Sequence, residues 1–351
     1  MVQNCKVKKM NCKCRREVVS AAVAVVMLLV VIGCRNKPFR AKQTFFRMDT
    51  VTDVTVILEN GRDVAPLWRS VDSLLLDWET RFSVTGKKSE VQRVNERGTR
   101  SVHVGELLGE MIDSSLHYGE LLDGGFDLTI LPVKEVWGFG EEASDDMPLP
   151  TDKAVDSARA LVSYKDVHYD PIERVVTFDR PETHIDIGGI AKGFVLRETA
   201  RLLDRYGVKS YLIVAGGDVV AKGKKPDGSK WRIGVQHPRK PDGMIGTLAL
   251  ENGSVVTSGD YERFRIVDGV RYHHLFNSAT GRSCGANQSL TVAGPNPVTV
   301  DILSTGLFCR KANDVTAYID KMSAYECLVV DSVGNVVTSS GWNGEVLEKR
   351  K

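Results

Sequence analysis

The chain has 351 residues and a formal net charge of +2, with acidic and basic residues interspersed along it. No basic stripe with interleaved aromatic residues occurs, which argues against nucleic acid as a partner. The length is sufficient to bury a large core, either as one large domain or as two closely joined lobes.

The N-terminal residues have the layout of a secretory signal. Basic residues within positions 6–16 precede an apolar run over 18–32, and Gly33 and Cys34 follow. The apolar run is shorter than the about 20 residues of a membrane-spanning helix. Because it ends in VIGC, it resembles a bacterial lipoprotein signal, in which Cys34 is lipidated and becomes the mature N-terminus. An uncleaved N-terminal anchor is the alternative, and it leads to the same compartment.

These features predict three segments and a location. Residues 1–33 are predicted to be a lipoprotein signal peptide, residues 34–44 a lipid-attached tether, and residues 45–351 the folded domain. The protein is predicted to be a lipid-anchored lipoprotein of the bacterial cell envelope that faces the periplasm, attached to a membrane through lipid on Cys34. Which membrane holds the lipid is left open.

Three of the seven cysteines, Cys284, Cys309 and Cys327, belong to the predicted domain and are widely spaced. Such spacing suggests neither a disulfide framework nor a zinc site. We therefore predict that all three are core residues.

Hydrophobic periodicity predicts an α+β fold of mostly antiparallel sheets with packed helices. Residues 45–58 are rich in β-branched and aromatic residues and are predicted to form a first strand or a bent pair. Helical spacing occurs over 64–80, 104–122 and 153–161, and strands are predicted at 164–170, 174–179, 211–216 and 231–238. The acidic, proline-containing stretch 141–153 is predicted to be an exposed loop. Since strands arrive mostly in adjacent pairs, an antiparallel arrangement is favoured over a doubly wound one.

The stretch HIDIGGIAKGFVLRETARLL, residues 184–203, places two glycines and Lys192 at the start of an amphipathic helix. A helix start carries N–H donors and partial positive charge, and glycine allows a ligand to approach the backbone, so the segment could bind phosphate. The alternative is an ordinary strand-to-helix turn with a solvated lysine. The glycine spacing fits neither the dinucleotide fingerprint nor the P-loop.

Two further patterns could support chemistry. Asp301 and Thr305 are four residues apart in a helix-compatible run, so both oxygens project from one face and form a hard ligand set suited to Mg²⁺. His273 and His274 precede a glycine-containing turn, and histidine is the usual general base for a hydroxyl nucleophile. The alternatives are a solvent-exposed helix face and a cross-strand surface pair. Residues 124–132 and 215–218 each place an aspartate beside glycines.

Taken in order, FRMDT, GGFDLTILPVKEVWGFG, HIDIGGIAKGF, VAGGD, WRIGVQHP, TSGDYERF, RYHHLFNSATG and DILST resemble the ApbE family of FAD:protein FMN transferases, which are often bacterial lipoproteins. The similarity extends from about residue 46 to residue 308. It implies an ApbE-like fold, FAD as substrate, Mg²⁺ as cofactor, and transfer of FMN to a threonine or serine hydroxyl of an acceptor protein with release of AMP. The acceptor would be an envelope electron-transfer protein whose identity the sequence does not provide.

The resemblance also implies roles for individual residues. The metal would be held by Asp301, Thr305 and the carbonyl of Gly189, and His274 would be the base, so the catalytic residues would be His274 and Asp301. Positions that match FAD contacts of the family are Met48, Ser83, Thr85, Gly125, Phe126, Asp127, Asp186, Lys192 and Phe276.

Three departures from the family pattern occur, at four positions, and two other functions remain open. Asp49 stands where glycine is common, Asn277 and Ser278 replace Asp-Pro, and Gly189 replaces alanine or serine. None of these changes removes a predicted catalytic side chain. The same site could serve an FAD pyrophosphatase that yields FMN and AMP, and the chain could also be a non-catalytic FAD-binding lipoprotein.

Overall fold

In the computed structural model of the protein, residues 38–59, 62–83, 89–98, 100–140 and 147–347 are described. The helices are α1 (Ala65–Phe82), α2 (Glu90–Asn95), α3 (Glu106–Leu121), α4 (Leu131–Val136), α5 (Asp152–Arg159), α6 (Ala191–Arg205), α7 (Pro297–Gly306) and α8 (Ala312–Ile319). The strands are β1 (Phe39–Arg47), β2 (Thr50–Leu58), β3 (Ser101–His103), β4 (Val167–Asp170), β5 (Val175–Phe178), β6 (Ser210–Ala215), β7 (Asp218–Lys222), β8 (Trp231–His237), β9 (Lys240–Leu250), β10 (Gly253–Gly259), β11 (Phe264–Val267), β12 (Val270–His273), β13 (Phe276–Asn277), β14 (Arg282–Ser283), β15 (Asn287–Gly294), β16 (Glu326–Asp331), β17 (Val336–Thr338) and β18 (Glu345–Val346).

Eight strands form the central sheet in the order β1-β2-β6-β7-β10-β15-β16-β17. Among the described residues, every strand pairing is antiparallel. The sequence of β2, TVTDVTVIL, shows why these segments are strands, since β-branched side chains pack well on a pleated surface. The predicted α+β fold with mostly antiparallel sheets is confirmed.

Both faces of the central sheet are buried. On β7, Val220 belongs to the main core, whereas Val219 and Ala221 belong to a second cluster that includes Trp231 of β8. Because successive side chains of a strand point to opposite faces, this alternation separates two cores. Helices α1, α6 and α7 pack into the main core, and the small sheet β18-β9-β8 covers the opposite face. The candidate active site lies on the helical side.

The predicted bent pair at residues 45–58 is the hairpin β1–β2, and its first strand is longer than predicted. It begins at Phe39, which pairs with Leu58, so residues 39–44 are strand and not tether. The reason is the partner strand, because β2 is long enough to satisfy the backbone groups of those residues. Residues 1–33 and Cys34 lie outside the described residues.

The predicted helices correspond to α1, α3 and α5, with each end displaced by at most two residues. The predicted strands correspond to β4, β5, β6 and β8, although Tyr164–Asp166 forms a 3-10 turn before β4. In the predicted loop, residues 141–146 lie outside the described part, and α5 already begins at Asp152, where the Thr151 hydroxyl caps its first turn. Within the described ranges, no helix combines the length and apolar character needed to cross a membrane.

The core location predicted for the cysteines is confirmed for Cys284 and Cys327, and Cys309 packs against the same core, but the expectation that they form no disulfide is wrong. Cys284 and Cys309 form a disulfide, with their Cα atoms 5.0 Å apart, and only Cys327 is a free core cysteine. Local patterns did not predict this pairing because the two cysteines are 25 residues apart in the chain. Cys309 lies next to Cys284 only after the intervening β15 and α7 have folded.

Candidate active site

The turn before α6 is organised by Asp186. Its carboxylate Oδ1 accepts a hydrogen bond from the Gly188 amide at 2.8 Å, and Oδ2 forms an ion pair with Lys134 Nζ. The Asp186 side chain is only 3% exposed. Although burial favours the neutral acid, the Lys134 ammonium and the Gly188 amide lower the pKa of Asp186 below its usual value. Both oxygens are therefore engaged within the protein, where they shape the turn and hold Lys134.

Lys134 is a site residue to which the sequence analysis assigned no role. It lies on α4, and its Nζ would be 3.5 Å from a Cβ added at Gly188, so the ammonium lies against the glycine turn. The sequence did contain one indication that Lys134 belongs to the site, because it lies in PVKEVWGFG, part of a motif that carries the family resemblance. Its partner, Asp186, is 52 residues away in the chain, which local patterns do not reveal.

Helices α6 and α7 are in backbone contact at the site. A Cβ added at Gly193 would be 2.7 Å from the Pro297 carbonyl oxygen and 2.9 Å from the Cβ of Asp301. The Gly193 amide donates a 2.7 Å hydrogen bond to Asp301 Oδ2. One turn earlier, a Cβ at Gly189 would be 3.5 Å from Cγ2 of Thr305. The structure thus brings together the predicted metal ligands Gly189, Asp301 and Thr305 along this contact.

Lys192 is surrounded by carboxylates. Its Nζ is 2.5 Å from Oδ2 of Asp218, a carboxylate in the AGGD turn that is only 2% exposed, whereas the Lys192 side chain is 44% exposed. Burial raises the pKa of Asp301 to about 7; the charge of Asp218 also raises it, and Lys192 opposes the shift. Burial disfavours charge on Lys192, but Asp218 and Asp301 raise its pKa above the usual value, so Lys192 remains protonated.

Asp301 and Thr305 lie one turn apart on α7, which confirms the predicted helix around them. Ser258, at the end of β10, extends this polar group, since its hydroxyl is 2.9 Å from Ser304 Oγ and 3.4 Å from Thr305 Oγ1. Within the part of the chain that is described, no group of three or more His, Cys, Asp or Glu residues could hold a metal ion. A cation here would need hydroxyl and carbonyl oxygens beside the single Asp301 carboxylate, a donor set that suits Mg²⁺ and not zinc.

The two adjacent histidines have different environments. His273 is buried, its Nε2 lies 2.7 Å from the Cys284 carbonyl oxygen, and its Nδ1 accepts from the Leu275 amide at 3.3 Å. Both ring nitrogens are therefore used structurally. His274 is half-buried, and its Nδ1 lies 3.3 Å from the Arg263 carbonyl oxygen. A carbonyl oxygen only accepts, so Nδ1 of His274 carries the proton and Nε2 carries the lone pair.

The electrostatic environment keeps His274 neutral. Burial lowers its pKa, and the positive charges of Arg263 and Lys134 lower it further, while the hydrogen bond to the Arg263 carbonyl acts in the opposite direction. The net result is a pKa well below the usual value, so the imidazole is neutral near pH 7 and its Nε2 carries no proton. The arrangement thus fits the predicted role of His274 as a base and leaves His273 as its structural neighbour.

Met48 lies in the two-residue turn of the hairpin β1–β2. Met48 and Asp49 both have positive φ, 54° and 52°, and aspartate tolerates this conformation where glycine is common. The Met48 amide donates to Glu79 Oε1 of α1 at 2.8 Å. The turn neighbours the AGGD turn, because a Cβ at Gly216 would be 3.1 Å from Thr50 Cγ2.

The GGFD turn packs against the end of α7. A Cβ at Gly125 would be 2.5 Å from the Gly306 carbonyl oxygen, and the buried Phe126 ring would be 3.0 Å from a Cβ at Gly189. The Asp127 carboxylate accepts hydrogen bonds from the amide and hydroxyl of Thr129 and from the Tyr164 amide, at 2.6–2.9 Å. Asp127 therefore fixes the loop, and the turn presents Gly125 and Phe126 to the metal-ligand candidates.

The other predicted FAD contacts lie at different places. Phe276 is buried in an aromatic cluster, with its ring centroid 6.2 Å from that of Trp137 and 5.7 Å from that of Phe139. Ser83 follows the last residue of α1, and Thr85 lies outside the described residues.

Comparison with known proteins relates this geometry to a family. The family model described as "ApbE family" matches residues 48–329. The FAD:protein FMN transferase of Vibrio cholerae is 30% identical over 290 residues, covering 81% of this chain and 86% of that protein. The protein of the same description from Escherichia coli K12 is 28% identical over 311 residues, covering 82% and 86%.

Solved structures show the same similarity in three dimensions. The ApbE protein from Thermotoga maritima superposes with a TM-score of 0.80 at 29% identity, covering 86% of this chain and 97% of that chain. The flavin transferase ApbE from Vibrio cholerae has a TM-score of 0.78 at 27% identity, covering 86% and 98%. The ordered motifs, the antiparallel fold and these matches together establish that this chain belongs to the ApbE family.

Proposed function

We propose that this protein transfers the FMN moiety of FAD to a threonine or serine hydroxyl of an acceptor protein and releases AMP. The observation that carries the proposal is the state of His274, whose protonated Nδ1 faces the Arg263 carbonyl while Nε2 holds a lone pair. Membership of a family whose relatives are named FAD:protein FMN transferase supports the choice of FAD and of a protein acceptor.

The pyrophosphate of FAD would lie at the start of α6. The positive end of this 15-residue helix favours an anion, and the glycines 188 and 189 allow the phosphates to approach the backbone. Lys134 and Lys192 flank the turn, and each is held by a buried carboxylate, Asp186 or Asp218. Two fixed ammonium groups at a helix N-terminus suit a diphosphate.

The residues at the α6–α7 contact fit Mg²⁺. Asp301 is a buried carboxylate whose pKa is raised to about 7, so a nearby cation would stabilise its ionised form. We propose that Mg²⁺ is held by the Asp301 carboxylate, the Thr305 hydroxyl and the Gly189 carbonyl. When bound, the ion would neutralise negative charge on the pyrophosphate oxygens.

The transfer itself is a displacement at phosphorus. His274 Nε2 accepts the proton of the acceptor hydroxyl, and the resulting oxygen forms a bond to the phosphorus on the riboflavin side. The bond from that phosphorus to the bridging oxygen breaks, and AMP leaves with the electron pair. Lys134 and Lys192 counter the charge of the phosphates throughout.

We also propose that the protein is a lipoprotein attached through Cys34 and facing the periplasm, where its acceptor is an envelope electron-transfer protein. The VIGC sequence supports lipidation, and the Cys284–Cys309 disulfide fits an oxidising compartment. Cells grown with labelled palmitate should label the wild-type chain and not Cys34→Ala. Equal labelling of both chains would refute anchoring at Cys34.

The function is tested with the full chain, FAD, Mg²⁺ and an acceptor domain that carries a known flavinylation threonine. The acceptor should gain the mass of one FMN as AMP appears, and His274→Ala should lose this product. His168→Ala, which changes an exposed histidine on β4, should match the wild type.

Two other outcomes would contradict transfer. AMP and free FMN without labelled acceptor would identify an FAD pyrophosphatase. Tight FAD binding with neither product would identify a non-catalytic FAD-binding lipoprotein.

A further inference from the structure

The segment that carries His274 is connected covalently to the end of α7. His274 follows β12, and the hairpin β13–β14 then leads to Cys284. Cys284 forms its disulfide with Cys309, three residues beyond the last residue of α7. Because α7 carries Asp301 and Thr305, the disulfide joins the segment of the base to the helix of the proposed metal ligands.

Hydrogen bonds fix the backbone on both sides of His274. The His273 Nε2 donates to the Cys284 carbonyl at 2.7 Å, and the Cys284 amide donates to the Leu275 carbonyl at 3.0 Å. The Ser283 hydroxyl donates to the His273 carbonyl at 2.7 Å and accepts from the His273 amide at 3.1 Å. The residues before and after the base are therefore both tied to the strand that ends at the disulfide.

The other end of the disulfide is fixed as well. The Phe308 ring lies edge-on to the His273 ring, with centroids 5.8 Å apart. The Asn287 side-chain amide donates to the carbonyls of Phe308 and Arg310, both at 2.7 Å. The residues around Cys309 thus contact the same histidine that precedes the base.

We propose that the Cys284–Cys309 disulfide and the His273 imidazole are positioning elements. Together they hold the His274 ring in a fixed position relative to Asp301 and Thr305. This proposal rests on the proposed function of the site. The pairs β11–β12 and β13–β14 are two-stranded sheets outside the central sheet, and such hairpins are marginally stable alone. The disulfide adds a covalent tie to the hydrogen bonds that hold these hairpins.

The tie acts on turnover and not on FAD binding. The proposed pyrophosphate site is at the start of α6, which the disulfide does not join, and Phe276, the predicted FAD contact on β13, is held separately by its packing against Trp137 and Phe139. Proton transfer, in contrast, needs the base within hydrogen-bond reach of the acceptor hydroxyl. A misplacement of about 1 Å can cost a hundredfold in rate. Loss of the tie should lower kcat and leave the KM for FAD unchanged.

The test compares the full chain in its oxidised form with the same chain reduced by dithiothreitol. We expect kcat for FMN transfer to fall at least about tenfold on reduction, with the KM for FAD changed by less than about twofold, and to recover on reoxidation. The double variant Cys284→Ala/Cys309→Ala should have the low kcat in both conditions. Cys327→Ala, which removes the buried free cysteine of β16, should respond as the wild type does.

Histidine variants provide a second test that leaves the disulfide intact. His273→Gln keeps an N–H donor for the Cys284 carbonyl and should retain more of kcat than His273→Ala. A kcat that is unchanged by reduction and in the double variant would overturn the proposal. So would an equal loss in His273→Gln and His273→Ala, or a parallel loss of FAD affinity.

A readout without turnover separates this proposal from the proposed function. Diethyl pyrocarbonate modification of His274, followed by mass spectrometry, should be faster in the reduced chain, and an equal rate would overturn the positioning role. If the oxidised wild type never labels an acceptor, the proposed function fails, and the modification rate still tests the tie.

Discussion

Gly193→Ala should loosen the contact between α6 and α7 and weaken the site. The added Cβ would lie 2.7 Å from the Pro297 carbonyl oxygen, 2.8 Å from the Val298 Cα and 2.9 Å from the Asp301 Cβ. All three distances are shorter than the 3.0 Å below which real Cβ contacts essentially never occur, and the first two neighbours are backbone atoms. The strain cannot be relieved by rotating a side chain, so the helices must move apart.

The magnitude follows from the kind of strain. One extra methyl group in a packed contact costs about 1–3 kcal/mol. In domains of 150–250 residues a loss of 1 kcal/mol lowers Tm by about 2–4 °C, so for this larger chain we expect a decrease of about 2–6 °C. The shift also displaces Asp301, whose Oδ2 accepts from the Gly193 amide, so the Mg²⁺ requirement for transfer should rise.

Differential scanning calorimetry of the full chain measures the change in Tm, and the transfer rate over a Mg²⁺ titration measures the Mg²⁺ requirement. Gly341→Ala is the matched control, because a Cβ there would meet no atom within 4 Å and should change Tm little. If Gly193→Ala keeps the wild-type Tm and Mg²⁺ requirement, the tight helix contact and its link to Asp301 are refuted.

Three further predictions concern charged and titrating groups. Lys134→Met leaves Asp186 buried without its cation and should cost about 3 kcal/mol at pH 7. Because the pKa of Asp186 is lowered in the folded protein, the pair stabilises fully above the usual aspartate pKa of about 3.9, and the Tm deficit should shrink as pH falls below that value, through the lowered pKa of the folded state. The exposed Lys153→Met should show no deficit, and a pH-independent deficit in Lys134→Met would contradict the ion pair. Since the pKa of His274 is lowered, kcat should stay high as pH falls and decline only below about 6.5, so an acid limb centred above that value would argue against His274 as the base. Asp301→Asn should raise the Mg²⁺ concentration for half-maximal rate more than about tenfold, and an unchanged requirement would remove Asp301 from the metal site.

Local patterns predicted the elements that depend on nearest neighbours in the chain. The apolar spacing of residues 64–80 and 104–122 predicted helices α1 and α3, because one face of each helix is buried. The spacing of Asp301 and Thr305 placed both on one helix face, which the structure confirms. The order of the motifs was specific enough to identify the family.

Contacts between distant segments decided the rest. His273 and His274 differ because one contacts the Cys284 carbonyl and the other the Arg263 carbonyl. Two identical, adjacent residues in a sequence give no indication of such a difference.

The α+β class, most helix and strand positions and the family could be predicted from local patterns, because these follow from periodicity and from residues that act in short runs. Three features became apparent only in the folded chain: Lys134 pairs with Asp186, Cys284 pairs with Cys309, and β1 begins at Phe39. Each of these depends on which surfaces the folded chain brings into contact. The interaction energy arises between two segments and cannot be assigned to either segment alone.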